Sequence, residues 1–184
     1  MEKRFVYADN AATTEISADV MQVMVDALKV YGNPSSLYEL GGRSQMLIDT
    51  AREQCAKALN AERNEIFFTS GGSESDNWAI KGMIDVMRKK GKNHIISTAF
   101  EHHAVLHTLN VLEKEGFEIT LLDVAEGHNI TAQQVKDAIR EDTCLVTCMY
   151  ANNEIGSVLP IPEIGAICRK AGVIFHTDAV QAVG

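Results

Sequence analysis

The stretch Phe67-Phe68-Thr69-Ser70-Gly71-Gly72-Ser73-Glu74-Ser75-Asp76-Asn77 constrains this chain more than any other. An apolar run reaches a pair of glycines and passes at once into residues with helical spacing, the pattern of a buried strand, a tight turn and a helix start. Ser73 and Asp76 have the spacing of a capping box. Gly71 and Gly72 let the backbone approach an anion, and the turn aims unpaired N–H groups and the positive end of a helix dipole at one point, which makes it a seat for a phosphate. An ordinary strand-to-helix turn capped by its own serines and acids fits the same residues. Glu74 and Asp76 favour that plainer reading, because they repel a phosphate unless they are turned away from it.

The flanking sequence supplies the context. Residues 1–14 have no helical period and read as an extended arm with a polar turn at Asp9-Asn10, leaving 15–184 as the main domain. Ser17 caps a helix with Val20, Met24, Leu28 and Tyr31 on one stripe, closed by Gly32, and Asn33-Pro34-Ser35-Ser36 is a loop. A second helix is predicted over 43–59. From Glu65 onward, short apolar runs at 65–69, 94–98, 117–123, 144–150 and 173–178 read as strands, and amphipathic segments at 73–90, 103–115, 131–140 and 161–171 as helices, several ended by Gly91, Gly116 and Gly172. This alternation predicts an α/β fold with a mainly parallel sheet flanked by helices and right-handed crossovers.

Composition excludes several classes. Lys+Arg 17 against Asp+Glu 25 gives a net charge of -8, and the longest basic run, Arg88-Lys89-Lys90, is a solvated helix end, so no nucleic-acid partner is expected. No apolar run reaches the roughly 18 residues that span a bilayer, and the first residues carry no signal-peptide pattern, so no membrane partner and a cytoplasmic location are expected. Cys55, Cys144, Cys148 and Cys168 form no CxxC pair and read as reduced core thiols, Cys144 and Cys148 lying four apart and hence on one face of a strand. His103 and His107, four apart on a helix, lack a third ligand, and no metal site is expected.

In open parallel sheets, ligands bind beyond the carboxyl ends of the strands. Ser70-Gly71-Gly72-Ser73, Glu101-His102-His103, Ala151-Asn152-Asn153-Glu154, and Asp178 with Gln181 all fall there. The set suits pyridoxal 5′-phosphate: a phosphate turn, an imidazole (His102) to stack on the ring, an amide (Asn153 or Gln181) for the phenolic oxygen, and a carboxylate (Asp178) to hold the pyridine nitrogen protonated. Each has a plainer role as well, Asp178 and His102 as helix or turn caps and Asn152 and Asn153 as turn formers.

Six stretches, taken together and in order, resemble the N-terminal half of a cysteine desulfurase of the NifS/IscS type, in the class V aminotransferase family. They are Tyr7-Ala8-Asp9-Asn10-Ala11-Ala12-Thr13-Thr14, Tyr31-Gly32-Asn33-Pro34-Ser35-Ser36, Phe68 to Asn77, Glu101-His102-His103-Ala104-Val105-Leu106, Ala151-Asn152-Asn153-Glu154-Ile155-Gly156 and His176-Thr177-Asp178-Ala179-Val180-Gln181-Ala182-Val183-Gly184. The resemblance implies fold type I of the PLP-dependent transferases, a homodimer with sites at the subunit interface, and L-cysteine as substrate. It further implies sulfur passing to an enzyme cysteine as a persulfide, with alanine left behind, and a scaffold protein as sulfur acceptor for iron-sulfur cluster or thio-cofactor assembly.

Carried to matching positions, Gly72 and Ser73 resemble the phosphate-binding pair, where the family usually has Thr at the second place. His102 resembles the ring-stacking histidine and a candidate acid/base, Asn153 and Gln181 the cofactor amides, and Asp178 the pyridine-nitrogen partner. The family's Ser-x-His-Lys segment, its catalytic cysteine and its small C-terminal domain lie downstream of Gly184. The expectation is therefore a truncated large domain that binds PLP weakly or not at all and is inactive alone. A non-catalytic interaction fragment, or another class V enzyme such as selenocysteine lyase, fits the same residues.

Overall fold

The computed structural model describes residues 3–123 and 129–183; Met1 and Glu2 of the arm and Gly184 of the last matching stretch lie outside the described residues. The chain divides into two compact units, Met1–Phe68 and Thr69–Gly184.

In the first unit the arm is irregular, with a turn in which Ala12 N–H donates to Asp9 O at 3.1 Å. Helix α1, Ala18–Leu28, is capped by Ser17, whose side chain accepts from Val20 N–H. The helix stops four residues before Gly32, so that glycine belongs to the loop. None of its residues is buried, and the predicted stripe of Val20, Met24 and Leu28 is exposed. Helix α2, Glu39–Leu59, begins one turn earlier than its apolar period suggests, because Gly41 and Gly42 weaken the sequence signal there. Gly41 is nonetheless required: a Cβ at this position would lie 2.6 Å from both Asn33 O and Ser36 O, carbonyls of the turn packed on the helix start.

The expected strand over 65–69 does not form. Arg63–Glu65 is a 3-10 turn closed by reciprocal bonds between Glu62 and Glu65, and the residues after it enter no ladder among the described residues. A strand exists only through its neighbour, which no local pattern can report.

Among the described residues the second unit holds four parallel strands, β1 (His94–Thr98), β2 (Glu118–Leu122), β3 (Thr143–Thr147) and β4 (Ile174–His176), in the order β2-β1-β3-β4. Helices α3 (Gly72–Lys89), α4 (His103–Lys114), α5 (Ala132–Ala138) and α6 (Ile161–Ala171) cover it. On one face Ile80 and Ile84 of α3 and Val105, Leu109 and Leu112 of α4 pack on Ile95 and Leu145. On the other, Val135 of α5 and Ile164 and Cys168 of α6 pack on Ile96 and Val146. Each such buried aliphatic side chain contributes on the order of 1.5–3 kcal/mol. Gly172, at φ 66°, ends α6 in the left-handed conformation that glycine adopts without strain.

The register shifts between His94 and Ile95, which pair with Thr143 and Leu145, so Cys144 is the extra residue of a β-bulge. The bulge corrects the expectation that Cys144 and Cys148 share a face. Cys144 packs with the α3/α4 cluster and Cys148 with the α5/α6 cluster. All four cysteines are free thiols, and three of them are buried. No helix among the described residues is long and apolar enough to cross a membrane, and none of their side chains forms a group of three or more metal ligands.

Candidate functional site

The start of α3 differs from its expected form. Gly71, not Ser73, is the N-cap, and it offers no side chain to cap with. Ser73 therefore lies in the first turn, exposed, and the Ser73/Asp76 box does not form. The acids occupy themselves elsewhere. Glu74 folds back to accept from Ser70 N–H at 2.6 Å and Ser70 Oγ–H at 2.7 Å, bonds that hold its carboxyl below the usual range. Asp76 is 5% exposed and turned inward. The first intrahelical bond is Ser75 N–H to Gly71 O, so the N–H groups of Gly72, Ser73 and Glu74 precede the helical ladder. Asp76 is thus turned away from the open N–H groups, while the Glu74 carboxylate stays at Ser70, so the attraction for an anion rests on the N–H groups of Gly72 and Ser73 and the helix dipole.

Beyond β4 the chain reaches Asp178, which is buried; its Oδ1 accepts from Val180 N–H at 2.9 Å. The backbone there is tied to the end of β3: Cys148 N–H donates to His176 O at 3.1 Å and Tyr150 N–H to Asp178 O at 2.7 Å. A Cβ at Gly72 would lie 3.1 Å from Val180 Cγ2, so the glycine lets the start of α3 bear on the turn that follows Asp178. Gln181 sits exposed in that turn.

His102 is the N-cap of α4 and exposed, its Nδ1 accepting from Ala104 N–H at 3.1 Å, so the cap uses one of the two ring nitrogens. It lines two clefts of about 380 Å³ each. One runs along the α3 and α4 starts with Ser73, Asn77 and Lys81; the other lies against the 152–155 turn with Glu101, Asn153 and Ile155. Asn153 is exposed there, whereas Asn152 is buried and structural: its Nδ2 donates to Phe100 O at 2.7 Å, and its Oδ1 accepts from Glu154 and Ile155 N–H. His102 thus meets Ser73 on one side and Asn153 on the other, while Asp178 and Gln181 are not among the described lining residues of either cleft.

Beneath this edge lies a buried polar layer that the sequence reading did not single out. Glu101 is 4% exposed; its Oε1 accepts from Thr98 Oγ1–H at 2.7 Å and Met149 N–H at 2.9 Å, and its Oε2 has no partner. Burial pushes its carboxyl up to about 7, against the pull of those two hydrogen bonds, and the charge of Asp178 pushes the same way while His176 opposes it. His176 Nδ1 lies 2.8 Å from Thr147 Oγ1, and its Nε2 3.5 Å from Asp76 Oδ1. Asp76 Oδ2 has no partner. The available signal was periodicity: Gly72, Asp76, Ile80 and Ile84 recur every four residues, which puts Asp76 on the core face of α3.

The chain matches the aminotransferase class-V family model over residues 6–184 and belongs to that family. It is 53% identical over 180 residues to cysteine desulfurase IscS of Clostridium botulinum, covering 97% of this chain and 45% of that protein. It is 52% identical over 184 residues to cysteine desulfurase IscS of Methanosarcina thermophila, again covering 45% of the relative. Among solved structures, a NifS-like protein superposes with a TM-score of 0.90 at 36% identity, over 95% of this chain and 48% of that one. SspA, solved in complex with cysteine, superposes with a TM-score of 0.91 at 40% identity, over 96% and 51%. The fold is therefore that of the PLP-dependent cysteine desulfurases, and the chain spans a little under half the length of the curated relatives it matches.

Proposed function

We propose that this chain is part of a cytoplasmic, PLP-dependent cysteine desulfurase that takes sulfur from L-cysteine and, as a homodimer, hands it to an acceptor scaffold. In this reading 1–14 is an arm and 15–184 a portion of the cofactor-binding domain. The observation that supports it is the approach of Gly72, at the start of α3, to Val180, two residues after the buried carboxylate of Asp178. A phosphorylated pyridine needs an anion site and a carboxylate for its ring nitrogen, and this donor set fits one.

The bound cofactor would supply an electron sink for bond breaking at the amino acid's α-carbon. The residues of this chain hold it in place. The N–H groups of Gly72 and Ser73 and the Ser73 hydroxyl receive the phosphate. Asp178, with Oδ1 fixed by Val180 N–H, presents Oδ2 to the pyridine nitrogen and keeps a proton there. His102, oriented by its bond from Ala104 N–H, stacks on the ring and is the chain's candidate acid/base. Asn153 and Gln181 offer amides to the phenolic oxygen.

The test is an NMR titration of the chain with pyridoxine 5′-phosphate, an analogue with no aldehyde to label lysines at random. Shifts of the Gly72, Ser73 and Val180 amides are expected, weakened about tenfold by Ser73→Ala and by Asp178→Asn. Shifts confined to other residues, or affinities indifferent to both substitutions, would overturn the reading.

A further inference from the structure

Gly72 and Asp76 are one helical turn apart on the face of α3 that continues into the core as Ile80 and Ile84. Gly72 bears on Val180, and Asp76 reaches His176, so both contacts join the start of α3 to the chain that carries Asp178. Asp76 is an awkward residue for such a place. A carboxylate 95% buried, with one oxygen 3.5 Å from an imidazole and the other without a partner, is costly where an aliphatic side chain would extend the Ile80 and Ile84 stripe. His176 is held in turn: Thr147 Oγ1 lies 2.8 Å from its Nδ1, on the strand next to β4.

We propose that Asp76 and His176 are positioning residues for the cofactor site, a tie that sets the separation between the anion seat at Gly72–Ser73 and the carboxylate of Asp178. The inference rests on the functional reading above. A phosphorylated pyridine is a rigid ligand with an anion at one end and a ring nitrogen at the other, so holding both protein partners at the right spacing is what makes the two ends bind as one. Without the tie each end still binds its own partner. Only the gain from binding both together is lost.

The tie makes one demand on the ring: a carboxylate only accepts, so Nε2 of His176 has to carry a hydrogen for the 3.5 Å contact to Asp76 to hold, whichever role Nδ1 takes toward the Thr147 hydroxyl. Asp76 (α3) and Thr147 (β3) lie against the ring, and the charges of Glu101 (the turn before α4) and His176 act on each other.

The experiment compares three probes by NMR titration: pyridoxine 5′-phosphate, pyridoxine and inorganic phosphate. Asp76→Ala is expected to weaken pyridoxine 5′-phosphate about tenfold while leaving the other two within twofold, and Asp76→Asn, whose amide oxygen can make the same contact with His176 Nε2–H, to restore most of the loss. A uniform loss for all three probes would mean a general structural role and overturn the tie, as would an unchanged affinity in Asp76→Ala. Long-range proton–nitrogen spectra of the wild type provide a check that needs no variant: a His176 ring protonated only at Nδ1 would overturn it as well. A wild type in which no probe moves the Gly72, Ser73 or Val180 amides removes the functional reading and the tie with it, whereas normal binding with an indifferent Asp76→Ala removes the tie alone.

Discussion

Replacing Glu101 by glutamine isolates the most perturbed acid at the candidate site. Glu101 is buried with one oxygen bonded and the other orphaned, and its carboxyl is raised from 4.5 to about 7. The folded protein therefore binds this proton more tightly than the unfolded chain does. Stability from the protonated carboxyl is fully present below about 4.5 and is lost as pH rises through about 7. At about 1.4 kcal/mol for each tenfold change in proton affinity, the loss amounts to roughly 3 kcal/mol. Glutamine keeps the acceptor for Thr98 and Met149 and cannot ionise. The stability of Glu101→Gln relative to wild type should therefore rise by roughly 3 kcal/mol between pH 4.5 and pH 8, or roughly 6–12 °C in melting temperature for a chain of this size. Urea unfolding or thermal melts at half-unit pH steps would read it. Wild type and variant curves that run parallel across that range would show that Glu101 binds its proton equally in the folded and unfolded protein, and would refute the reasoning.

Two further outcomes are expected. Burial raises the thiols of Cys144, of Cys148 and of Cys168, the last to about 11, so Cys55 should react first with a thiol reagent in the native protein, and rapid loss of a second thiol would contradict the packing roles of these three. Phe5, Leu28, Tyr31 and Leu37 are among many exposed apolar side chains of the first unit, so sedimentation at tens of micromolar should show self-association; a clean monomer would refute it.

Most of the sheet was legible because its signals are local. The strand at 94–98 has the bounds its apolar run predicts, and Gly91, Gly116 and Gly172, at φ 73°, 94° and 66°, all follow helix ends as expected. Two of the misreadings share one cause. Whether 65–69 becomes a strand depends on a neighbour, and whether Cys144 and Cys148 share a face depends on the pairing of β3 with β1, where the bulge sits. Both are relations between distant segments, and periodicity within one segment is silent about them.

The same distinction explains which site residues could be read. His102, Asn153 and Asp178 stand where strands end, so the rule about carboxyl edges finds them without knowing what they face. Asp76 was read from Ser73, three residues away, as half of a cap, although its spacing to Ile80 and Ile84 puts it on the buried face. Burial converts the question from which backbone group an acid can cap to which partner can tolerate its charge, and the answer, His176, lies a hundred residues on. Glu101 is overshadowed by its neighbour His102 for a related reason: its partners are Thr98, three residues before it, and the backbone of Met149, just beyond the end of β3. A buried acid at a strand end is thus legible as a position in the sequence, but its function is set by the chain opposite.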